Sequence, residues 1–270
     1  MASLEETVTL EYKGKLAIIT LANEKKLNAL DSDGYYRLGN LLREIATRDD
    51  VCVTLLIGKG RFFSAGADVS APRASPTEDE DIRRFYLRSF VSNNLDVTRA
   101  FYTHPKILVT ALNGPVIGLT AALIAFSDFI YATPQTFLLT PFTSLGLVAE
   151  GGASRAFVER LGIAKANEAL IMSKRLSAEE LAQAGFVNKI FEGGDGFRDA
   201  VIQEVDDRLT GGHLNEESLL KIKEIVRGPE RERLDMANVK EVFGGLERFV
   251  GGAPQEEFRK IASGQKRHKL

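Results

Sequence analysis

Residues 7–21, VTLEYKGKLAIITLA, alternate apolar and polar side chains around Lys13-Gly14, the period of a strand, and predict a β-hairpin. From Asp31 the period lengthens: Leu38, Leu41, Leu42 and Ile45 recur at i, i+3, i+4 and i+7, one helix face, with Asp31 able to cap its start. VCVTLLIGKG at 51–60 is nearly continuously apolar, as suits a strand covered on both faces, and runs into the glycine-containing loop GKGRFFSAGAD. ILVTALNGPVIGLTAALIAF at 107–126 repeats that plan with an apolar strand, an Asn113-Gly114-Pro115 turn and a helix of small residues. A short strand at Phe137–Thr140, then a loop at Gly146–Gly152 before a helix over 153–161, continue the alternation, which predicts an α/β core.

Beyond Ser173 the pattern is mostly helical. Ser177-Ala178-Glu179-Glu180 has capping-box spacing, and AGFVNKIF reads as a last strand. Amphipathic charged stretches at 197–209, 214–226 and 230–250 are divided by Gly211-Gly212 and Gly228-Pro229. The expected organisation is therefore a core over 1–195 and a helical region over 196–270, whose helices suit packing against another subunit. Asp79-Glu80-Asp81 reads as a solvated helix entrance.

Composition narrows the chemistry. With 270 residues, 44% hydrophobic, 27% charged and a net charge of -2, the chain can bury a full core and carries no basic excess for a nucleic acid. No apolar run approaches a membrane span, and the first residues resemble no secretory signal, so neither a spanning nor a secreted protein is expected. The single cysteine, Cys52, sits in an apolar run and reads as a buried small hydrophobe. His104, His213 and His268 form no pair with zinc spacing, and GxSxG is absent, which argues against a metal centre and a serine triad. Neither GKGRFF nor NGPVIG matches a phosphate-binding fingerprint.

Three segments remain: Ser64–Asp68, Asn113–Leu119 and Gly146–Gly152. Each places small residues after an extended run. The first two could each turn a backbone N–H toward a shared oxygen, the arrangement of an oxyanion hole, or their glycines could simply permit tight turns. Glu150, between Leu147-Val148-Ala149 and Gly151-Gly152, is an uncommon setting for a surface glutamate. Burial there would raise its pKa toward that of a useful base, although a carboxylate meeting a helix start is an equal reading.

Taken in order, LNAL at 27–30, GRFFSAGAD at 60–68, NGPVIGLTAAL at 113–123, SDFIYA at 127–132 and LSAEELAQAGFVNKIF ending at 191 resemble the crotonase (enoyl-CoA hydratase/isomerase) superfamily over about residues 7–195. The resemblance implies an α/β spiral of repeated ββα units with a C-terminal helical region, assembled as homotrimers or homohexamers, that binds acyl-CoA thioesters. Carried over by position, the N–H groups of Ala67 and Leu119 would hold the thioester oxygen. Lys26, Leu27, Ala29, Ala65, Gly66, Ala67, Asp68, Val69 and Leu119 would line the substrate path. Where hydratases of the family carry two glutamates this chain has Ala122 and Phe142, while Glu150 matches the catalytic glutamate of the fungal-type peroxisomal Δ3,Δ2-enoyl-CoA isomerase branch.

The resemblance thus implies a one-base isomerisation in fatty-acid β-oxidation: Glu150 removes a C2 proton from a 3-enoyl-CoA and returns it at C4, with no metal or redox cofactor and with CoA as part of the substrate. Asn94 matches a position that could orient Glu150, or it could be an asparagine satisfied by solvent on a helix face. His268-Lys269-Leu270 resembles a peroxisomal C-terminal signal, implying an import receptor as partner and the peroxisomal matrix as location. Isomerisation of 3,5-dienoyl-CoA, and a non-catalytic acyl-CoA-binding or RNA-associated role on the same fold, remain the alternatives.

Overall fold

A computed structural model describes residues 4–68, 76–77 and 79–266; Val69 and His268-Lys269-Leu270 lie outside the described residues. After a short helix, α1 (Leu4–Thr7), the expected hairpin forms from β1 (Val8–Lys13) and β2 (Leu16–Leu21), antiparallel from Val8 opposite Leu21 to Lys13 opposite Leu16. Its turn residues are Gly14 and Lys15. Asp31 caps α2 (Ser32–Ala46), its Oδ1 accepting from the Gly34 N–H at 2.8 Å. The two apolar runs become β3 (Val53–Gly58) and β4 (Ile107–Leu112), parallel neighbours in a sheet that continues from β2 on one side.

Between β3 and β4 the chain forms α3 (Ile82–Tyr86), a π-helical turn (Leu87–Val91) and α4 (Ser92–Tyr102), with Asp81 capping α3 as its acidic entrance suggested. After β4 come β5 (Val116–Ile117), α5 (Gly118–Leu123), β6 (Phe129–Ala132) and β7 (Phe137–Leu139). Next are α6 (Ala153–Leu170), β8 (Leu176–Ser177), α7 (Ala178–Gln183) and β9 (Lys189–Ile190). The helix expected over 153–161 is the first part of α6: Gly162 adopts φ 73, ψ 158, and a further helical stretch follows it. Of the AGFVNKIF segment only Lys189–Ile190 pairs, against Tyr131 and Ala132.

The main sheet runs β1-β2-β3-β4-β6-β9, and a small sheet runs β5-β7-β8. Helices α8 (Phe197–Val205), α9 (Glu216–Arg227), α10 (Arg231–Val250) and α11 (Ala253–Ala262) complete the described chain. The last was unexpected; it starts at Gly252, with Pro254 in its first turn.

The period of two along the strands divides the core. Ile19, Leu56, Leu108 and Leu112 face the layer that holds Leu38, Leu42 and Ile45 of α2. Ile18, Leu55, Ile57 and Val109 face Phe197, Val201 and Val205 of α8. Every residue of β3 and of β4 is buried, which is why both read as continuous apolar runs. Cys52 is buried, and the medium around it pushes its thiol pKa up. No helix among the described residues is long and apolar enough to cross a membrane.

The capping box forms at α7: Ser177 Oγ accepts from the Glu180 N–H at 3.2 Å and Glu180 Oε2 from the Ser177 N–H at 3.0 Å. The Ser177 N–H first, with burial opposing it, and then Lys174 and Lys165 bring the Glu180 carboxyl down to about 2. Because the folded-state value is depressed, this stabilisation is complete above the ordinary value of 4.5 and is lost as pH falls toward about 2. Urea denaturation of Glu180→Gln is expected to show a smaller loss of stability across that window than the parent; identical pH dependence would contradict it.

Candidate active site

The loops that follow β3 and β4 leave the carboxyl ends of adjacent parallel strands, where open α/β sheets place their ligands. Two buried or bridging asparagines tie them together. Asn113 Oδ1 accepts from the Gly58 N–H at 3.1 Å, and its Nδ2 donates to Gly60 O at 2.7 Å. Asn28 donates to Lys59 O at 2.9 Å and Phe62 O at 2.7 Å, which fastens the 27–30 segment to the same loop. Phe63, fully buried, anchors the loop, and the Phe63 and Ser64 N–H groups both donate to Pro115 O.

The two loops then cross backbone to backbone. Gly66 has φ 85, and a Cβ there would lie 2.7 Å from Ile117 O, so both its conformation and its neighbour demand glycine. A Cβ on Gly118 would in turn lie 3.8 Å from the Gly66 Cα. Ala67 and Leu119 are therefore the residues immediately past the crossing. Ala67 forms a single parallel bridge with Leu30, in which the Leu30 N–H donates to Gly66 O and the Asp68 N–H to Leu30 O. That pattern uses the amides on either side of Ala67 and leaves its own N–H unpaired among the described residues. Leu119 is the second residue of α5, where an N–H has no partner within the helix.

Beneath the crossing lies a chain of buried hydroxyls. Ser64 Oγ donates to Asn28 O at 2.9 Å, accepts from the Gly66 N–H at 3.1 Å and lies 3.2 Å from Thr120 Oγ1, which in turn meets the Tyr35 hydroxyl at 2.9 Å. Burial holds the Tyr35 phenol neutral, opposed by its bond to Thr120 and reinforced by the negative charge of Glu150.

Glu150 reaches this place from the third loop. A Cβ on Gly151, whose φ is 69, would lie 2.8 Å from both the Ala122 Cβ and the Leu119 Cδ1, so the loop is pressed against α5 one residue past Glu150. The Glu150 side chain is half-buried, and its Oε2 accepts from Asn94 Nδ2 at 2.9 Å. Asn94, on α4, is only 8% exposed, so its amide faces the carboxylate and not solvent. Ala122 and Phe142 are both buried and supply no acid.

The remaining expected residues fall around the same crossing. Leu27, with φ 53, accepts at its carbonyl from the Ala65 N–H at 2.9 Å, and Leu27, Ala29 and Ala65 are half-buried. Ala67 is exposed, whereas Gly66 and Leu119 are buried. Lys26 Nζ pairs with Asp68 Oδ2 at 2.6 Å across the mouth of the loops.

Tyr35 and Glu241, both near the site, carry no sequence signal of their own, and Ser64 and Thr120 were legible only as parts of their segments. Glu241, on α10, is 5% exposed and accepts from the Gly152 and Ser154 N–H groups at 2.6 and 2.8 Å. Burial pushes its carboxyl pKa up, against the pull of those donors. Among the described residues no group of three or more His, Cys, Asp or Glu is placed to hold a metal ion.

Parallel α/β layers, two loops that cross at Gly66 beyond the carboxyl ends of β3 and β4, and a third loop pressed on α5 one residue past Glu150 define the class: an α/β fold with its candidate site at the ends of parallel strands. The Enoyl-CoA hydratase/isomerase family profile matches residues 11–215, and the chain belongs to that family. A Delta(3,5)-Delta(2,4)-dienoyl-CoA isomerase from Pyricularia oryzae is 60% identical over 97% of this chain and 98% of its own length. The 3,2-trans-enoyl-CoA isomerase of Saccharomyces cerevisiae is 34% identical over 98% and 97%. An enoyl-CoA hydratase/isomerase structure from Pseudoalteromonas atlantica superposes with a TM-score of 0.82 at 21% identity, covering 98% of this chain and 100% of that one, which establishes the crotonase-type α/β fold. The chain is an isomerase of this family.

The crossing itself is testable without any substrate. Gly66→Ala is expected to cost roughly 1–3 kcal/mol, from a left-handed alanine and a forced separation from Ile117 O. An unchanged midpoint in chemical denaturation would mean that the loops do not meet as described.

Proposed function

We propose that the chain moves a carbon–carbon double bond of an unsaturated acyl-CoA thioester, with Glu150 as the base and the Ala67 and Leu119 N–H groups as the oxyanion hole. The observation that carries the reading is the Glu150 carboxylate, held by Asn94 on a loop that packs against Leu119 and Ala122 one residue further on, with no second acid at Ala122 or Phe142. Proton removal at C2 leaves an extended enolate whose charge collects on the thioester oxygen. Donors aimed at that oxygen stabilise the transition state, each by about 3–4 kcal/mol. The protonated Glu150 then supplies a proton farther along the chain. No metal or redox group takes part, and CoA belongs to the substrate.

For the substrate, 3,5-dienoyl-CoA going to 2,4-dienoyl-CoA is the preferred reading, because the 60% identical relative bears that activity in its name. Conversion of 3-enoyl-CoA to 2-trans-enoyl-CoA, the activity first implied by the position of Glu150, is the second reading. It is favoured by the single carboxylate, since a shift from C2 to C4 is within reach of one group, and by the yeast relative. Lys26, Leu27, Ala29, Ala65, Gly66, Asp68 and Val69 would line the CoA path. Assembly as a homotrimer or homohexamer, and import into the peroxisomal matrix through His268-Lys269-Leu270, complete the proposal. Exposed Ile222, Ile225 and Val226 on α9 suit the first.

Purified protein given each thioester separately, with conjugation followed by ultraviolet absorbance, is expected to turn over the 3,5-dienoyl ester faster than the 3-enoyl ester. Glu150→Gln should lose about 10²–10⁴-fold in kcat on both. Full activity in that variant rules out Glu150 as the base; faster turnover of the 3-enoyl ester reverses the order of the two substrates.

A further inference from the structure

Helix α10 places one face against both segments that carry the Glu150–Asn94 pair. Asn238 and Glu241 lie one helical turn apart, and both are almost wholly buried. Asn238 Nδ2 donates to Leu95 O at 3.1 Å, the carbonyl next to Asn94 on α4. Glu241 takes the Gly152 and Ser154 N–H groups, one on each carboxylate oxygen, two and four residues past Glu150. One turn further along, a Cβ on Gly245 would lie 2.7 Å from the Phe90 ring, and one turn beyond that Arg248 donates to Gly146 O at 2.8 Å at the start of the Glu150 loop. Asn238, Glu241, Gly245 and Arg248 follow i, i+3, i+7, i+10 spacing, so they form one stripe facing the site's back.

Gly152, the residue preceding α6, has no side chain with which to cap that helix, and φ 73 turns the chain sharply there. Its own N–H, which is buried, and that of Ser154 have no acceptor within the helix. A carboxylate meeting them at charge-assisted distance both satisfies them and fixes the direction in which the chain leaves Glu150.

We propose that Glu241, with Asn238 beside it, is a positioning residue for the isomerisation: from α10 it sets the distance and angle between Glu150 and Asn94 without touching substrate. The inference rests on Glu150 being the base. It assigns to α10 a part in the reaction in addition to any role in assembly. A displacement of about 1 Å at a reacting group can cost on the order of 10²-fold. Loss of the Glu241 carboxylate should therefore appear in kcat and hardly in thioester binding.

The experiment compares Glu241→Gln and Glu241→Ala with Glu150→Ala and with the Glu150→Ala, Glu241→Ala double variant. It measures kcat and KM on the better thioester, and calorimetric affinity for a saturated acyl-CoA. Glu241→Gln keeps the shape and one acceptor, so it reports even if the alanine variant does not fold. The expected result is a fall in kcat of about tenfold for Gln and up to about 10²-fold for Ala, with KM and affinity within about twofold. The double variant should be no slower than Glu150→Ala alone, because Glu241 acts only through Glu150. A fall in affinity matching the fall in rate, or losses that multiply in the double variant, would overturn the positioning role. Undiminished kcat in Glu241→Gln and Glu241→Ala would do the same. Full activity in Glu150→Ala is a different outcome, striking at the proposed base and not at α10 alone.

Discussion

Two stretches of main chain meet where Gly66 passes Ile117 and Gly118, with no room for a side chain on Gly66, and this contact orders everything around it. Its left-handed glycines fix the residues after them, and neither the Ala67–Leu30 bridge nor the hydrogen bonds within α5 use the N–H groups of Ala67 and Leu119. The sheet supplies the precondition. Because β3 and β4 are parallel neighbours in register, their carboxyl ends lie side by side and both loops depart from the same edge. Asn28 and Asn113 then close the gaps that the departing backbone would leave as unsatisfied carbonyls.

Around that fixed crossing the remaining parts are held from several sides. The hydroxyls of Ser64, Thr120 and Tyr35 support it from below, so the loop rests on buried hydrogen bonds that are costly to break. The third loop leans on α5 through Gly151, and α10 holds it from behind through Glu241 and Arg248. Within that frame the half-buried Glu150 carboxylate keeps a fixed amide partner in Asn94.

Much of the fold was legible because its signals are local. The hairpin, the cap at Asp31, the capping box at Ser177 and the two continuous apolar strands each depend on residues a few positions apart, and each forms where the period predicts. The small sheet of β5, β7 and β8 was only partly visible, since its two-residue strands owe their pairing to the loops that bring them together and have no period to show. Left-handed Leu27 left no trace, because leucine does not announce a positive φ as glycine or asparagine can. Among the site residues, Glu150 stood out as a charge in an apolar setting. Glu241 did not: it sits in a charged amphipathic helix, and its partners lie 87 and 89 residues away in the chain, a separation at which no pattern of spacing operates.

The central claim is that a thioester oxygen rests between the amides of Ala67 and Leu119 while Glu150 faces the carbon beside it. A crystal structure of the protein with a 2,4-dienoyl-CoA product tests this most directly. The expected result is a thioester oxygen roughly 2.7–3.1 Å from both nitrogens, with a Glu150 carboxylate oxygen over C2. A thioester bound away from the glycine crossing, or with Glu150 turned from the acyl chain, would contradict it.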